Sequence, residues 1–487
     1  MKALFAWFVG SALPFAALAQ TNATVAPAPP AQPAYTLKDF AALPLMDAPA
    51  LSPNGLHVAS RVAINGVQRL VIADIFEGGD GLRSIGLGEN DLNWWQWVND
   101  DWLIAGMGTE TNVQGMPWYI SRVASIKRDG SKINLLAKNL AAQNADDVIW
   151  IARDGTPRIM LSYQTSIYYG EPGFWPRVDE IDVSTGRMRS VIAPKPHVGS
   201  WFTDATGTVR MGVGYNDANR TATLLYRPDA KASFRTIDRA NRRRDESLIS
   251  PVLFTADPTK AIADDDRDGT DALYELDLTT LELGKKIFSV PGFDLGSISA
   301  DSSGMALAGV SYTADAPSVH WFDATLAQIQ ADLDKAVPNQ RARILSLSRD
   351  RQKMIVHVGA PDQPGAYYYY DINAGVMSLL SKVSDRFATK ARLGPVKTIR
   401  YKARDGLEIA AVLTLPVGSA VKDLPLILMP HGGPFARDSE DWDWWVQFLA
   451  WRGYAVLQPN YRGSSGYGTA FAEGGRAMGP CHAGRPE

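Results

Sequence analysis

The 487-residue chain carries 49 Lys and Arg against 52 Asp and Glu, a net charge of −3, and 46% of it is hydrophobic. So balanced a surface argues against nucleic-acid and anionic-membrane partners, while the apolar fraction and length suffice for two cored domains. Cys481 is the single cysteine, so no intramolecular disulfide can form. No cofactor is expected.

The N-terminus opens with Met1-Lys2 and an apolar stretch, Ala3 to Leu18, broken by Pro14. Ala17-Leu18-Ala19 before Gln20 supplies a small-x-small cleavage pattern, so 1–19 reads as a secretory signal peptide. The run is short for a membrane anchor, and a polar Pro/Ala-rich leader, 20–34, follows it. No cysteine near the cleavage site points to a lipoprotein. The expectation is an exported bacterial protein, periplasmic or secreted.

From 35 to 395 short β-type runs alternate with Asp, Gly, Asn and Pro turns. A unit recurs. Its first half appears at Leu51-Ser52-Pro53-Asn54-Gly55, at Ile298 to Ala306 and around Leu347-Ser348-Arg349-Asp350. Its second half, apolar-Asp-apolar-Ser/Thr/Asn, appears at Ile181 to Gly186, Leu276 to Thr279 and Tyr370 to Gly375. Irregular repeats of roughly 40 to 60 residues predict the blades of an all-β propeller, with four strands per unit. Trp94, Trp95, Trp97 and Trp102 crowd one strand-turn-strand and are read as inner-strand packing rather than a stacking surface. Arg242-Arg243-Arg244, flanked by Asp238, Asp245 and Glu246, reads as a solvated loop.

Asp264, Asp266, Asp268, Gly269 and Glu275 satisfy the spacing of a calcium-binding EF-hand loop. The flank Leu273 to Leu278 alternates like a strand where that motif needs a helix. Asp271 also stands where the loop normally has an apolar residue. An acidic hairpin is the preferred reading and calcium the minor alternative.

After Gly394-Pro395 the pattern changes. Val396 to Pro416 predicts a hairpin turning at Asp405-Gly406. A buried strand is expected over Leu424 to Met429. A helix carrying Trp444, Trp445, Phe448, Leu449 and Trp451 follows, stopped by Gly453, and then a strand from Tyr454 to Gln458. Strand, helix, strand in this order begins an α/β sheet.

The chemistry sits on two glycine-rich turns. Acyl transfer needs backbone N–H groups aimed at a developing oxyanion, and glycine lets the chain come close. His431-Gly432-Gly433-Pro434 has that shape, and Asn460-Tyr461-Arg462-Gly463-Ser464-Ser465-Gly466-Tyr467-Gly468 follows it. Together they resemble the prolyl oligopeptidase family of serine peptidases, in its acylaminoacyl-peptidase and dipeptidyl-aminopeptidase branch. The likeness is strong from about Val396 to Ala472 and weaker over the propeller.

The resemblance implies a β-propeller followed by an α/β-hydrolase domain, here incomplete over 396–477, and a short peptide as substrate. It assigns the oxyanion hole to the backbone of Gly433 and Gly432. His431, Pro434, Tyr461, Arg462, Ser464 and Tyr467 are expected on the active-site loops, His431 as a structural turn residue rather than a base. Ser464 and Ser465 lack the flanking glycines of a nucleophile elbow. The family's Gly-x-Ser-x-Gly elbow lies about 80 residues beyond such a turn, with acid and histidine after it. Only 56 residues follow His431 (487 − 431), and the motif does not occur in the chain.

Relatives continue with Trp-Gly-x-x-Met-Gln-Asp-Asp after this loop. Codons for 478–487, read one base forward, permit Trp-Gly-Pro-Ala-Met-Gln-Asp-Asp-Leu. The tail 478–487 is therefore expected to be frameshifted, with Cys481 carrying no function. The chain as written is expected to lack the triad and peptidase activity, with strands 426–429 and 454–458 uncovered and that end poorly folded or prone to aggregate. The alternatives are a non-catalytic propeller that binds peptides or other ligands, and an esterase. Oligomeric state is not set by the sequence.

Overall fold

Alternating runs closed by Asp-Gly and Asn-Gly turns favour hairpins. The computed structural model describes residues 35–475 apart from 77–80, 139–142, 388–391, 419–421 and 434. The expected signal peptide, the whole leader, Pro434, Cys481 and the 478–487 tail lie outside the described residues. Among those described, seven antiparallel sheets are each built from consecutive strands, over 46–85, 91–135, 147–192, 198–241, 250–289, 295–321 and 341–382. All belong to the unit Leu37–Glu487.

Six of these blades have the expected four strands. The sixth has three, Leu295–Ala300, Leu307–Thr313 and Pro317–Trp321. The helix Ala324–Ala336 follows it, capped by Asp323, whose carboxylate accepts from Thr325 N and Leu326 N. Its Leu326 and Leu333 pack with Met354 and Val356 of the seventh blade.

The recurring aspartate has a local cause. Asp182 accepts from the backbone and hydroxyl of Ser184 at 2.9 and 2.6 Å, and Asp277 does the same with Thr279 at 2.8 and 2.5 Å. Each folds the turn into the outer strand by mimicking a backbone turn.

The cores lie between blades. Leu70, Ile72 and Ile85 of the first meet Trp97, Leu103 and Ile126 of the second. Ile104 and Val123 of the second meet Ile159, Leu161 and Ile181 of the third. The tryptophans clamp these joints, as expected for inner-strand packing. Trp97 Nε1 donates to Ala50 O at 3.0 Å, Trp95 Nε1 to Ala59 O at 3.3 Å and Trp94 Nε1 to Asp146 at 3.2 Å.

The ring closes where the seventh blade meets the first, without a shared strand. Leu51 and Val58 pack on Ile355, Tyr367 and Tyr369. Leu51 N donates to Ser346 Oγ, Arg349 N to Pro53 O, and Tyr369 OH to Gly55 O.

After the last propeller strand, Val376–Lys382, a new sheet begins. The hairpin Val396–Lys402 and Glu408–Thr414 turns through Gly406, as predicted. Ala455–Asn460 adds antiparallel to Glu408–Thr414 and pairs in parallel with Leu426–Leu428. The helix Trp444–Trp451 makes the crossover that parallel pairing requires.

Strand order corrects two expectations. Leu426–Leu428 is an edge strand, not a buried one, with Leu426 58% and Leu428 52% exposed. Ala455–Asn460, expected to be uncovered, is largely buried because it lies between two strands with Trp444–Trp451 against it. From that helix the buried Gln447 accepts from Gly394 N and donates to Gly394 O and Pro361 O.

Ile355, fully buried at the closing seam, tests the ring. Ile355→Ala is expected to lower stability by about 3 kcal/mol, within the usual range for a buried aliphatic truncation. A urea titration reads this as a lower midpoint at unchanged slope.

Candidate active site

The exposed strand Leu426–Leu428 delivers the chain into the glycine turn. Gly433 has φ +136°, and a Cβ there would stand 2.8 Å from Phe435 N. Only glycine fits that backbone without strain. Around Gly432 the space is open, with nothing within 4 Å of a notional Cβ.

His431 braces this turn. Its ring stacks on Tyr461 at 4.6 Å, and Tyr461 OH donates to His431 O at 2.9 Å. Nδ1 lies 2.8 Å from Gly432 O and, since a carbonyl only accepts, it donates there. Nε2 lies 2.8 Å from Ser464 Oγ. Ser464 is fully buried, and its Oγ lies 2.6 Å from Tyr461 O as well as against the imidazole. It is locked into the loop and has no path to a substrate carbonyl.

A second layer holds both turns. Asn460 receives Asp438 N at 2.7 Å and donates to Asp438 O and to Tyr467 OH. Arg437 lies over the Tyr467 ring at 4.3 Å, and its guanidinium donates to Tyr467 OH, Gly466 O, Thr313 O and Ala314 O. Burial lowers the pKa of Arg437 and raises those of Tyr467 and Asp438.

This layer rests on the propeller. Gly468 N donates to Asp294 at 3.0 Å, Thr469 N to Gly269 O at 3.2 Å, and the Thr469 hydroxyl to Asp266. At Gly468, φ +88°, a Cβ would lie 2.3 Å from Gly269 O. Glycine is required there for the two chains to touch.

Of the expected site residues, His431, Gly432, Gly433, Tyr461 and Ser464 converge. Tyr467 lies behind them against Arg437. Arg462 is instead paired with Asp405 of the hairpin turn, at 2.5 Å. Arg437 and Asp294 were not legible in the sequence: Asp294 is an isolated charge in a loop and Arg437 opens an acidic stretch, with no spacing or motif to mark either.

The calcium pattern is not assembled. Asp264 lies within the strand Lys260–Asp265, paired with Leu273, and Glu275 lies on Ala272–Asp277, paired with Ile262, so the segment is the expected hairpin. Asp268 is held by Lys286 and Tyr274 OH, and Asp266 by Thr469. Among the described residues no group of three or more His, Cys, Asp or Glu could hold a metal.

What remains is an acidic cluster under Gly468. Burial, then repulsion from Asp294, Asp266 and Asp265, pushes Asp264 up to about 6. Burial, then repulsion from Asp264, Asp294 and Asp266, pushes Asp271 up to about 7. A carboxyl whose pKa is higher folded than unfolded favours the fold at low pH, and that contribution is lost as pH rises from about 4 towards about 7. Asp271→Asn is therefore expected to melt higher than the parent at about pH 8 and alike at about pH 4, by thermal scans at both.

The matrix of similarities follows this geometry. The family model described as "Prolyl oligopeptidase family" matches residues 440–479. Dipeptidyl aminopeptidase BIII of Pseudoxanthomonas mexicana is 29% identical over 323 residues, 62% of this chain and 44% of the relative. The acylamino-acid-releasing enzyme of Sus scrofa is 42% identical over 64 residues, 13% of this chain and 9% of its own. A puromycin-hydrolyzing peptidase of Mycobacterium tuberculosis superposes with TM-score 0.58 at 16% identity, over 89% of this chain and 69% of that one. The chain thus spans less than half the length of the first of these relatives.

Proposed function

We propose that this chain, which belongs to the prolyl oligopeptidase family, serves the hydrolysis of short peptides by a serine mechanism, supplying the oxyanion turn and the propeller. The observation that carries the reading is Gly433. Its backbone, open only to glycine, follows an unobstructed Gly432 and is braced by His431, Tyr461 and Ser464. Backbone N–H groups fixed in this way stabilise a tetrahedral oxyanion without reorganising during the reaction. His431 acts by holding the turn, because both its ring nitrogens are engaged within the loop.

The nucleophile is not among these 487 residues. No Gly-x-Ser-x-Gly occurs, and Ser464 is locked in the fold. Acyl-enzyme formation needs an activated hydroxyl within reach of the substrate carbonyl. The polypeptide as it stands is expected neither to turn over chromogenic dipeptidyl or acyl-aminoacyl substrates nor to be labelled by a fluorophosphonate. Mass spectrometry checks the second point, and a label on Ser464 or Ser465 would overturn the reading.

Export is the companion proposal, resting on the Met1 to Ala19 pattern. N-terminal sequencing of the protein recovered from outside the cytoplasm is expected to begin at Gln20.

A further inference from the structure

The seven blades surround a cavity of about 670 Å³, lined by all of them, within the size range of small-molecule sites. It lies at one end of the propeller. Its lining comes from the ends of the blades' first strands and, in five of them, from the turn that follows, at Pro53, Arg153, Ala205, Ser302 and Arg349. The C-terminal sheet and its loops instead meet Asp266, Gly269, Asp294, Thr313 and Arg341. Those residues lie where first strands start or where second strands turn into third, which is the opposite end of an antiparallel blade. The cavity mouth and the glycine turns are therefore on opposite faces.

The charge at this mouth is not balanced. The first-strand turns close alike: Ser52 N donates to His57 O, Ala152 N to Arg158 O, Asp204 N to Thr208 O, Asp301 N to Ala306 O and Ser348 N to Lys353 O. The residue after each closing N–H is Pro53, Arg153, Ala205, Ser302 and Arg349. Only the third and seventh blades place a charge there, and in both it is arginine.

The carboxylates nearby each have partners other than these two guanidinium groups: Asp154, beside Arg153, pairs with Arg158, and Asp350, beside Arg349, accepts from Ser348 Oγ and Gln352 N. Asp204 pairs with the buried Arg210 at 3.2 Å and also accepts from Thr206 and Thr208. Asp301 accepts within its own turn from Ser303, Met305 and Ala306. Arg351, the third lining arginine, is paired with Asp323.

That leaves Arg153 and Arg349. The Arg153 guanidinium donates only to the carbonyls of Ser302 and Asp301, at 3.1 and 3.5 Å. The Arg349 guanidinium has no partner among the described residues, and both side chains are exposed. Two forked donors at a concave mouth, neither paired with a carboxylate, favour an anion there, and a planar carboxylate matches the guanidinium fork. The cavity is far larger than a bare inorganic anion, and Trp95 and Trp97 supply part of an apolar wall.

We propose that this mouth binds the terminal carboxylate of a short peptide, with Arg153 and Arg349 as the two forks. The site lies on the face away from the glycine turns and needs no nucleophile, so it stands or falls separately from the catalytic reading.

Isothermal titration of the purified 487-residue chain tests it with three probes: tri-alanine as free acid, tri-alanine amide and inorganic phosphate. The free acid is expected to bind at least about tenfold tighter than the amide, a gap that shrinks as salt rises from about 50 to about 500 mM. Arg349→Ala and Arg153→Ala are each expected to weaken the acid about tenfold and leave the amide unchanged. Arg349→Lys should restore only part of the loss, since an ammonium lacks the fork. Arg349 is exposed, so an unchanged melting midpoint separates lost binding from lost folding. Equal binding of acid and amide, no binding of either, or arginine variants that bind as the parent does would overturn the proposal. Phosphate binding as tightly as the free acid would also overturn it, by assigning the mouth to inorganic anions.

Discussion

Everything in this molecule hangs on a joint made of side chains. The seventh blade meets the first through Leu51, Val58, Ile355, Tyr367 and Tyr369, with hydrogen bonds along the contact that include the backbone pairs Arg349 N to Pro53 O and Leu45 N to Val383 O. Among the described residues no strand is shared between the two ends of the ring. Closure therefore draws on apolar burial and close packing, which are non-directional and scale with area, rather than on a hydrogen-bonded ladder. The other blades face each other through the same kind of contact, so the ring is uniform in its physics. If the ring is not closed, the loops at Asp266, Asp294 and Thr313 lose their fixed relation, and the glycine turns lose their platform.

From that platform the order passes inward in steps. Asp294 and Gly269 hold Gly468 and Thr469. Arg437 joins the carbonyls of Thr313 and Ala314 to Gly466 and Tyr467. Asn460 ties Tyr467 to Asp438, and Tyr461 and Ser464 reach His431 and so Gly432. Every link is short and most are part-buried, so breaking one leaves a partly desolvated group behind. The backbone of Gly433 is thus set by residues of the fifth and sixth blades, about 120 to 170 positions earlier in the chain.

Much of this was legible from residue order alone, for identifiable reasons. Alternation and turn chemistry are local, so the blades, the hairpin at Asp405-Gly406 and the helix bearing Trp444 to Trp451 could be placed. The glycine turns were readable because glycine at such spacing has few other uses. Burial was read less well. Leu426 to Leu428 is apolar and reads as a core strand, yet its exposure depends on which strand pairs beside it, a property of sheet order rather than of the segment. The three-stranded sixth blade was missed for a similar reason: a helix, Ala324–Ala336, takes up the following stretch of chain. Arg437 and Asp294 escaped because a charge in a loop gains meaning only from what the fold brings to it.

The seam has one more implication. Because blades one and seven adhere without a common ladder, they can part and reseat without breaking a single backbone bond within either sheet. The propeller is in this respect a split washer: its gap is held shut by the fit of a few aromatic and aliphatic groups and a handful of hydrogen bonds, and opening it widens the axial bore while each blade stays whole.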